Sequence, residues 1–211
     1  MNALIISNGE ISNYNYYKNI ILDSNIIICA DGGAKHAYKM NIIPNLIVGD
    51  FDSLDEDILN FYKEKGVKIE KYSPIKDKTD TQIATLKAIE MGTDNITYIG
   101  TLGNRFDHLI ANLSLLFYLL NRKIKGRIIN EKNEIYLINE YIELKGKKGD
   151  IVSLLPYSKD VHGIYTEGLY YPLSGQDMTL GIPYGISNIF TENKISIKIE
   201  DGFLLVIKSR D

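Results

Sequence analysis

The hydrophobic pattern changes period near residue 125, and that change limits the folds open to this 211-residue chain. Before it, short apolar runs alternate with amphipathic stretches. Ala3 to Ile6, Ile26 to Ala30, Leu46 to Val48, Val67 to Tyr72 and Ile96 to Ile99 read as strands. Lys35 to Met40, a stripe of Ile58, Phe61 and Tyr62 ended by Gly66, Thr81 to Met91 ended by Gly92, and Leu109 to Leu120 read as helices. That alternation is the mark of an α/β layer with a largely parallel sheet. After it, Arg127 to Asn130, Ile135 to Ile138, Tyr141 to Leu144, Ile151 to Leu155, Ile164 to Thr166, Leu169 to Leu173, Ser196 to Ile199 and Phe203 to Ile207 read as short strands. Asp201-Gly202 between two alternating runs predicts a hairpin. Strands at this spacing predict a β-sandwich or a barrel. The boundary falls between Arg122 and Gly126, giving domains 1–124 and 125–211.

Open parallel sheets bind ligands at the carboxyl ends of their strands, and polar turns follow the apolar runs there. The stretch Leu46-Ile-Val-Gly-Asp-Phe-Asp-Ser53 places Asp50 and Asp52 at i and i+2, where an extended chain points them the same way. Paired carboxylates at such a turn suit a hard divalent cation, magnesium where phosphate is handled. Ser53 followed by Glu56 has the pattern of a capping box, so a polar loop with a helix cap is the plainer reading. Asp31-Gly32-Gly33 allows a tight turn and close approach of backbone N–H groups to a ligand. Asp31 there would meet a hydroxyl, an amine or a metal-bound water, or else bond its own turn. A loop from Ser73-Pro74 leads to Asp77-Lys-Thr-Asp80, where Thr79 or Asp80 caps a helix or joins a phosphate site at its N-terminus.

The run Gly100-Thr-Leu-Gly103-Asn-Arg105-Phe-Asp107-His108 matches neither the P-loop nor the dinucleotide fingerprint. It still offers backbone donors, an arginine and a helix start to a polyphosphate. His108 is a ligand contact or a structural histidine near the cap. Tyr14, Tyr16 and Tyr17 are expected to be surface or half-buried packing.

Composition closes other routes. Net charge is −3 with acids and bases well mixed, so neither nucleic acid nor membrane is expected as a partner. The single Cys29 lies in an apolar run and fits a reducing compartment. The N-terminus lacks the basic start of a signal peptide, and the longest apolar run, Leu115 to Leu120, is too short for a bilayer, so a cytoplasmic protein is expected. No catalytic triad or thiol nucleophile stands out, and the three histidines are scattered, which excludes a zinc cluster. Asp31, Asp50, Asp52, Asp77, Asp80 and Asp107 all lie in turns or at helix starts. If they converge, they need a cation among them, as phosphoryl transfer supplies.

The ordered set Ala30-Asp-Gly-Gly-Ala34, Gly49-Asp-Phe-Asp-Ser53, Asp77-Lys-Thr-Asp80 and Gly103-Asn-Arg-Phe-Asp-His108 resembles the thiamine pyrophosphokinase family. Glu167-Gly-Leu-Tyr-Tyr-Pro-Leu173 and Gly185-Ile-Ser-Asn188 resemble that family's late motifs. The resemblance implies a Rossmann-like α/β domain that binds ATP and magnesium, followed by an all-β sandwich that binds thiamine. It also implies a homodimer with substrate sites between subunits. The implied reaction is attack of the thiamine hydroxyl on the β-phosphorus of ATP, giving thiamine diphosphate and AMP. Asp50, Asp52 and Asp80 would hold magnesium and the phosphates, with Asp77 close by. Asp31, Gly32, Thr79, Thr81, Gly103, Arg105, Asp107 and His108 would border ATP, and Ser187 and Asn188 would help form the thiamine pocket. Two departures stand out: Asn104 replaces a second glycine, and no tryptophan exists to stack on thiamine, which leaves Tyr170 or Tyr171 for that role. Two competing readings remain on sequence grounds. One is a haloacid-dehalogenase-like phosphohydrolase with Asp50 as nucleophile; the other is a non-enzymatic nucleotide or metabolite sensor.

Overall fold

A computed structural model of the chain describes residues 1–73, 75 and 77–210. Pro74, expected to open the loop before Asp77, lies outside the described residues. The chain divides into two compact units, Met1–Glu131 and the residues from Lys132 onward.

The first unit alternates strand and helix: β1 Asn2–Ile6, α1 Lys18–Leu22, β2 Ile26–Ala30, α2 Gly33–Lys39, β3 Leu46–Gly49, α3 Glu56–Glu64, β4 Lys68–Lys71, α4 Asp80–Glu90, β5 Asn95–Ile99, α5 Phe106–Leu120 and β6 Lys125–Ile129. The strands pair in parallel in the order β6-β5-β1-β2-β3-β4. The order reverses at β1, and in open sheets of this kind the carboxyl ends flanking the reversal, here those of β1 and β5, are where a ligand crevice is expected. Leu4 to Ile6, Ile28, Cys29, Leu46, Ile47 and Val48 are buried, as strands covered on both faces must be. The Cys29 thiol is buried there, which pushes its pKa up. A 3-10 turn at Tyr14–Tyr17 feeds α1, and Tyr17 is fully buried rather than at the surface. β6 pairs with β5, so the first unit extends past residue 124, where the sequence placed the boundary.

The second unit is antiparallel: β7 Asn133–Ile138, β8 Tyr141–Lys145, β9 Ile151–Pro156, β10 Asp160–Glu167, β11 Ser174–Thr179, β12 Asn188–Ile189, β13 Lys194–Lys198 and β14 Leu204–Ser209. Its strands run β12-β9-β14-β7 in one layer and β11-β10-β13-β8 in the other. Leu154, Val161, Ile164, Phe190, Ile195, Ile197, Leu204 and Val206 from the two layers share one core, so this is a sandwich. Asp201-Gly202 does not close a hairpin: β13 pairs with β8 and β10, whereas β14 pairs with β7 and β9. Leu169 to Leu173 is no strand either; Leu169 makes one isolated bridge to Phe190. No helix among the described residues is long and apolar enough to cross a membrane.

Candidate active site

Four turns meet at the carboxyl edge of the parallel sheet, and the segment after β1 joins them. Ser7 donates its backbone N–H to the Ile99 carbonyl, and Gly9 to that of Gly100. Gly100 holds φ at 65°, and a Cβ there would strike the Ser7 carbonyl. The Ser7 hydroxyl lies 3.0 Å from that of Thr81, in the first turn of α4. The Gly9 carbonyl accepts from His36 Nε2 at 2.8 Å, while Nδ1 accepts from the Tyr14 hydroxyl at 3.0 Å. Burial lowers the His36 pKa and keeps the ring neutral in that role.

After β2, Asp31 takes φ 47°, and its N–H donates to the Val48 carbonyl at 2.7 Å. Its Oδ2 accepts from the Ser53 hydroxyl. Its Oδ1 is buried and has no hydrogen-bond partner among the described residues. A carboxylate oxygen shut from water in that way is costly unless a ligand or cation meets it. The glycines that follow allow close packing. A Cβ on Gly32 would collide with the Asn8 side chain, and one on Gly33 with the Ile6 carbonyl. Gly49 likewise lets β3 close on Asp31, whose Cα would be 2.9 Å from a Cβ placed there.

Beyond β3, Asp50 Oδ1 accepts from the Asp52 backbone N–H at 3.1 Å, and Phe51 adopts φ 67°. This is a tight Asx turn with a strained central residue. The expected capping box does not form: Asp55 is the N-cap of α3, and Ser53 commits its proton to Asp31 instead. At α4, Thr79 is the N-cap and its Oγ1 accepts from the Gln82 N–H at 3.2 Å. Asp80 opens the helix, where its charge favours the dipole. Thr81 faces Ser7, and Asp77 lies exposed in the preceding bend.

In the loop after β5, Thr101 buries a hydroxyl oxygen with no partner among the described residues. Gly103 is exposed, and a Cβ there would meet nothing closer than Gly9 at 3.6 Å. Asn104 keeps a negative φ, so the missing glycine is not needed for a left-handed backbone. Arg105 is the N-cap of α5 and grips Asp107 through two bonds, 3.2 and 2.6 Å long. That pairing raises the Arg105 pKa and lowers that of Asp107. His108 is exposed beside them.

Convergence of the six acids would require a cation among them. Among the described residues, no three carboxylates, imidazoles or thiols gather closely enough to form a ready metal cage. Like charges repel, Asp107 is drawn off by Arg105, and Asp50 is bonded to its own turn.

In the second unit, Asn188 is buried. Its Oδ1 accepts from the N–H groups of Tyr171 (3.0 Å) and Ile189 (2.9 Å), and its Nδ2 donates to the Tyr171 carbonyl at 2.7 Å. The side chain therefore clamps the Tyr170–Tyr171 segment. Ser187 is exposed at φ 55°, with its N–H on Ser153 Oγ at 3.0 Å. Tyr170 is 63% exposed and meets Tyr171 edge to face at 4.9 Å, which leaves a ring available for stacking. Sequence reasoning passed over Ser7, Asn8 and His36. The signal was present, because Ser7-Asn8-Gly9 is another polar turn directly after a buried strand.

Comparison with known proteins agrees with this architecture. Residues 17–128 match the family model described as thiamin pyrophosphokinase, catalytic domain, and residues 138–204 match that described as thiamin pyrophosphokinase, vitamin B1 binding domain. The chain is 32% identical over 186 residues to a thiamine pyrophosphokinase of Bacillus subtilis (strain 168), covering 87% of each. A solved thiamine pyrophosphokinase structure from Bacillus subtilis matches with a TM-score of 0.90 at 27% identity, over 100% of both chains. One from Geobacillus thermodenitrificans matches with 0.86 at 25%, over 100% of this chain and 98% of that one. A fold alone does not carry a function, but two family domains in order, along a chain whose polar turns occupy the ligand edge of the sheet, do assign a lineage: this chain belongs to the thiamin pyrophosphokinase family.

Proposed function

We propose that the chain transfers the diphosphoryl group of ATP to the hydroxyl of thiamine, giving thiamine diphosphate and AMP. Attack of the hydroxyl oxygen on the β-phosphorus forms one P–O bond and breaks the bond between the α-phosphate oxygen and that phosphorus. The hydroxyl proton is lost. The observation that carries the reading is the gathering of Asp31, the Asp50/Asp52 turn, the α4 N-terminus and the Gly100–Gly103 loop around the post-β1 segment, in a chain of this family.

Magnesium fits these residues by donor chemistry rather than as a ready cage: Asp50, Asp52 and Asp80 would each offer hard carboxylate oxygens, the phosphates would bring the remaining ligands, and the partnerless Oδ1 of Asp31 marks a place where positive charge or a donor is wanted. When bound, the ion would neutralise phosphate charge as it develops. The protein's own groups orient the nucleotide. The helix dipole at the start of α4 attracts phosphate, with Asp77, Thr79 and Thr81 around it. Arg105 exchanges Asp107 for a phosphate oxygen, which an exposed fork can do at little cost. Gly103, Asp107 and His108 border the nucleotide, and Gly32 seats the turn that carries Asp31. The first unit thus serves ATP and magnesium. The second serves thiamine, with Ser187 at the pocket, Asn188 as the clamp and Tyr170 as the stacking ring. The working protein is a cytoplasmic homodimer. No observation favours a phosphohydrolase built on Asp50 or a sensor without turnover.

The test is incubation of the purified protein with ATP, magnesium and thiamine, followed by chromatography of nucleotides and thiamine species. AMP and thiamine diphosphate appearing together, only with thiamine present, is the expected result. ADP or free phosphate without thiamine diphosphate would overturn it.

A further inference from the structure

The Asp31 carboxylate is held by a relay that the proposed reaction does not by itself explain. Ser53 carries a single hydroxyl proton, and that proton goes to Asp31 Oδ2. The direction is set from the other side, because Asn8 Nδ2 donates to Ser53 Oγ at 3.4 Å and occupies its acceptor face. Asn8 keeps its place because residue 32 is glycine; any Cβ there would strike the Asn8 side chain. Ser53 keeps its place through the Phe51 turn, with Leu54 buried behind it and its N–H on the Phe51 carbonyl at 3.2 Å. The backbone of Asp31 is pinned at positive φ by its bond to Val48. Three strand ends therefore cooperate on one side chain. The result is a carboxylate with one oxygen satisfied and the other, Oδ1, buried and partnerless among the described residues. A core that wanted only stability would have paired both oxygens.

We propose that Asn8 and Ser53 are positioning residues that fix Asp31 so that its Oδ1 meets the magnesium–ATP complex. They act through Asp31 and touch no reacting atom. The inference rests on the activity proposed above and adds two residues and a mechanism to it. Gly32 then has a reason as the seat of Asn8.

The experiment is a mutant cycle read by two measurements, calorimetric binding of ATP in the presence and absence of magnesium, and kcat for thiamine diphosphate formation. Both Asn8 and Ser53 are exposed, so Asn8→Ala and Ser53→Ala should fold, and thermal melting checks this. Ser53→Ala is expected to weaken magnesium-dependent ATP binding about 10-fold, the scale of one hydrogen bond to a charged group. Asn8→Ala should lose about 3-fold, because its bond is long and neutral. Ser53→Thr keeps the hydroxyl and should recover most of the loss. In an Asp31→Asn background, Ser53→Ala should add less than about 2-fold, since its partner is already gone. Losses that simply add, or a Ser53→Ala protein that binds as the parent does, would overturn the relay. If the parent protein makes no thiamine diphosphate, the activity reading fails, and the binding cycle still decides the relay.

Discussion

Asp52 and His36 represent two ways in which one residue can govern this site. Asp52 is exposed, and its backbone closes the Asx turn on Asp50. Asp52→Asn keeps the size and the turn but removes a full charge from the proposed magnesium set. We expect kcat to fall by about 100-fold or more, as when an electrostatic contributor to a phosphoryl transition state is lost. Melting should shift by no more than about 2 °C, because nothing buried changes. Near-normal turnover in that variant would remove Asp52 from the magnesium set. His36 acts through protonation. Its ring is neutral in the fold, donating from Nε2 to Gly9 and accepting from Tyr14 at Nδ1. Because burial lowers its pKa from the ordinary 6.5, the unfolded chain takes up the proton first as pH falls. Stability must therefore drop as pH falls below 6.5 toward the lowered value, and it is fully present above 6.5. Melting curves for the parent and His36→Gln should converge in their pH dependence above about pH 7 and separate below it, the parent being the steeper. His162 has the opposite sign: its bond to Asp177 raises its pKa, so what it contributes is present at low pH and lost as pH rises through the raised value. A His36→Gln protein with the parent's acid slope would show that the Tyr14–His36–Gly9 link carries none of the effect.

At the scale of elements, capping and clamping decide where side chains point. Thr79 caps α4, at the helix start where we propose that the nucleotide binds. Thr79→Ala should cost about 1 kcal/mol of stability, measured by urea unfolding, and Thr79→Ser should restore it. Asn188 is the stronger case, because three bonds to backbone groups depend on one buried amide. Asn188→Ala should cost about 2–3 kcal/mol through the groups left unpaired. It should raise the thiamine KM while leaving ATP binding as it was, and an unchanged KM would separate the Tyr170 ring from thiamine. These elements also show how far the sequence could be read. Strands β1 to β5 and helices α2 to α5 followed from periodicity, because a doubly covered parallel sheet leaves a clear apolar record. Ser53 was misread because a serine three residues before a glutamate describes a cap equally well, and only the approach of Asp31 decides its partner. Asp201-Gly202 was misread because a turn signal is local, whereas the sheet a strand joins is set by long-range pairing. The acids at the sheet edge were legible as a group, but not that Arg105 would claim Asp107.

For the whole molecule, the question is what covers its exposed apolar side chains. In the second unit, Leu180, Ile182, Tyr184, Ile186 and Ile189 are all exposed within ten residues of sequence, and Tyr170 and Tyr171 precede them. In the first unit, Phe106 and Ile110 stand exposed on successive turns of α5. Single exposed apolar residues need no explanation, but such a density in one stretch is what a partner surface would cover. A second copy of the chain is the partner we propose, and symmetric pairs are the commonest solution for such a surface. Sedimentation should then give about twice the 23.9 kDa chain mass at micromolar concentration. The paired substitution Ile182→Asp and Ile186→Asp should shift the equilibrium toward the monomer, since two buried charges in an apolar contact are far more costly than two exposed ones. Both side chains are exposed in the single chain, so its fold should tolerate the change. If thiamine is held with help from the partner subunit, the monomer should lose thiamine diphosphate formation by about 10-fold or more while still binding ATP in the first unit. A parent protein that sediments as a monomer at full activity would defeat the dimer. A variant monomer that keeps full turnover would leave the dimer standing but place the whole thiamine site within one chain.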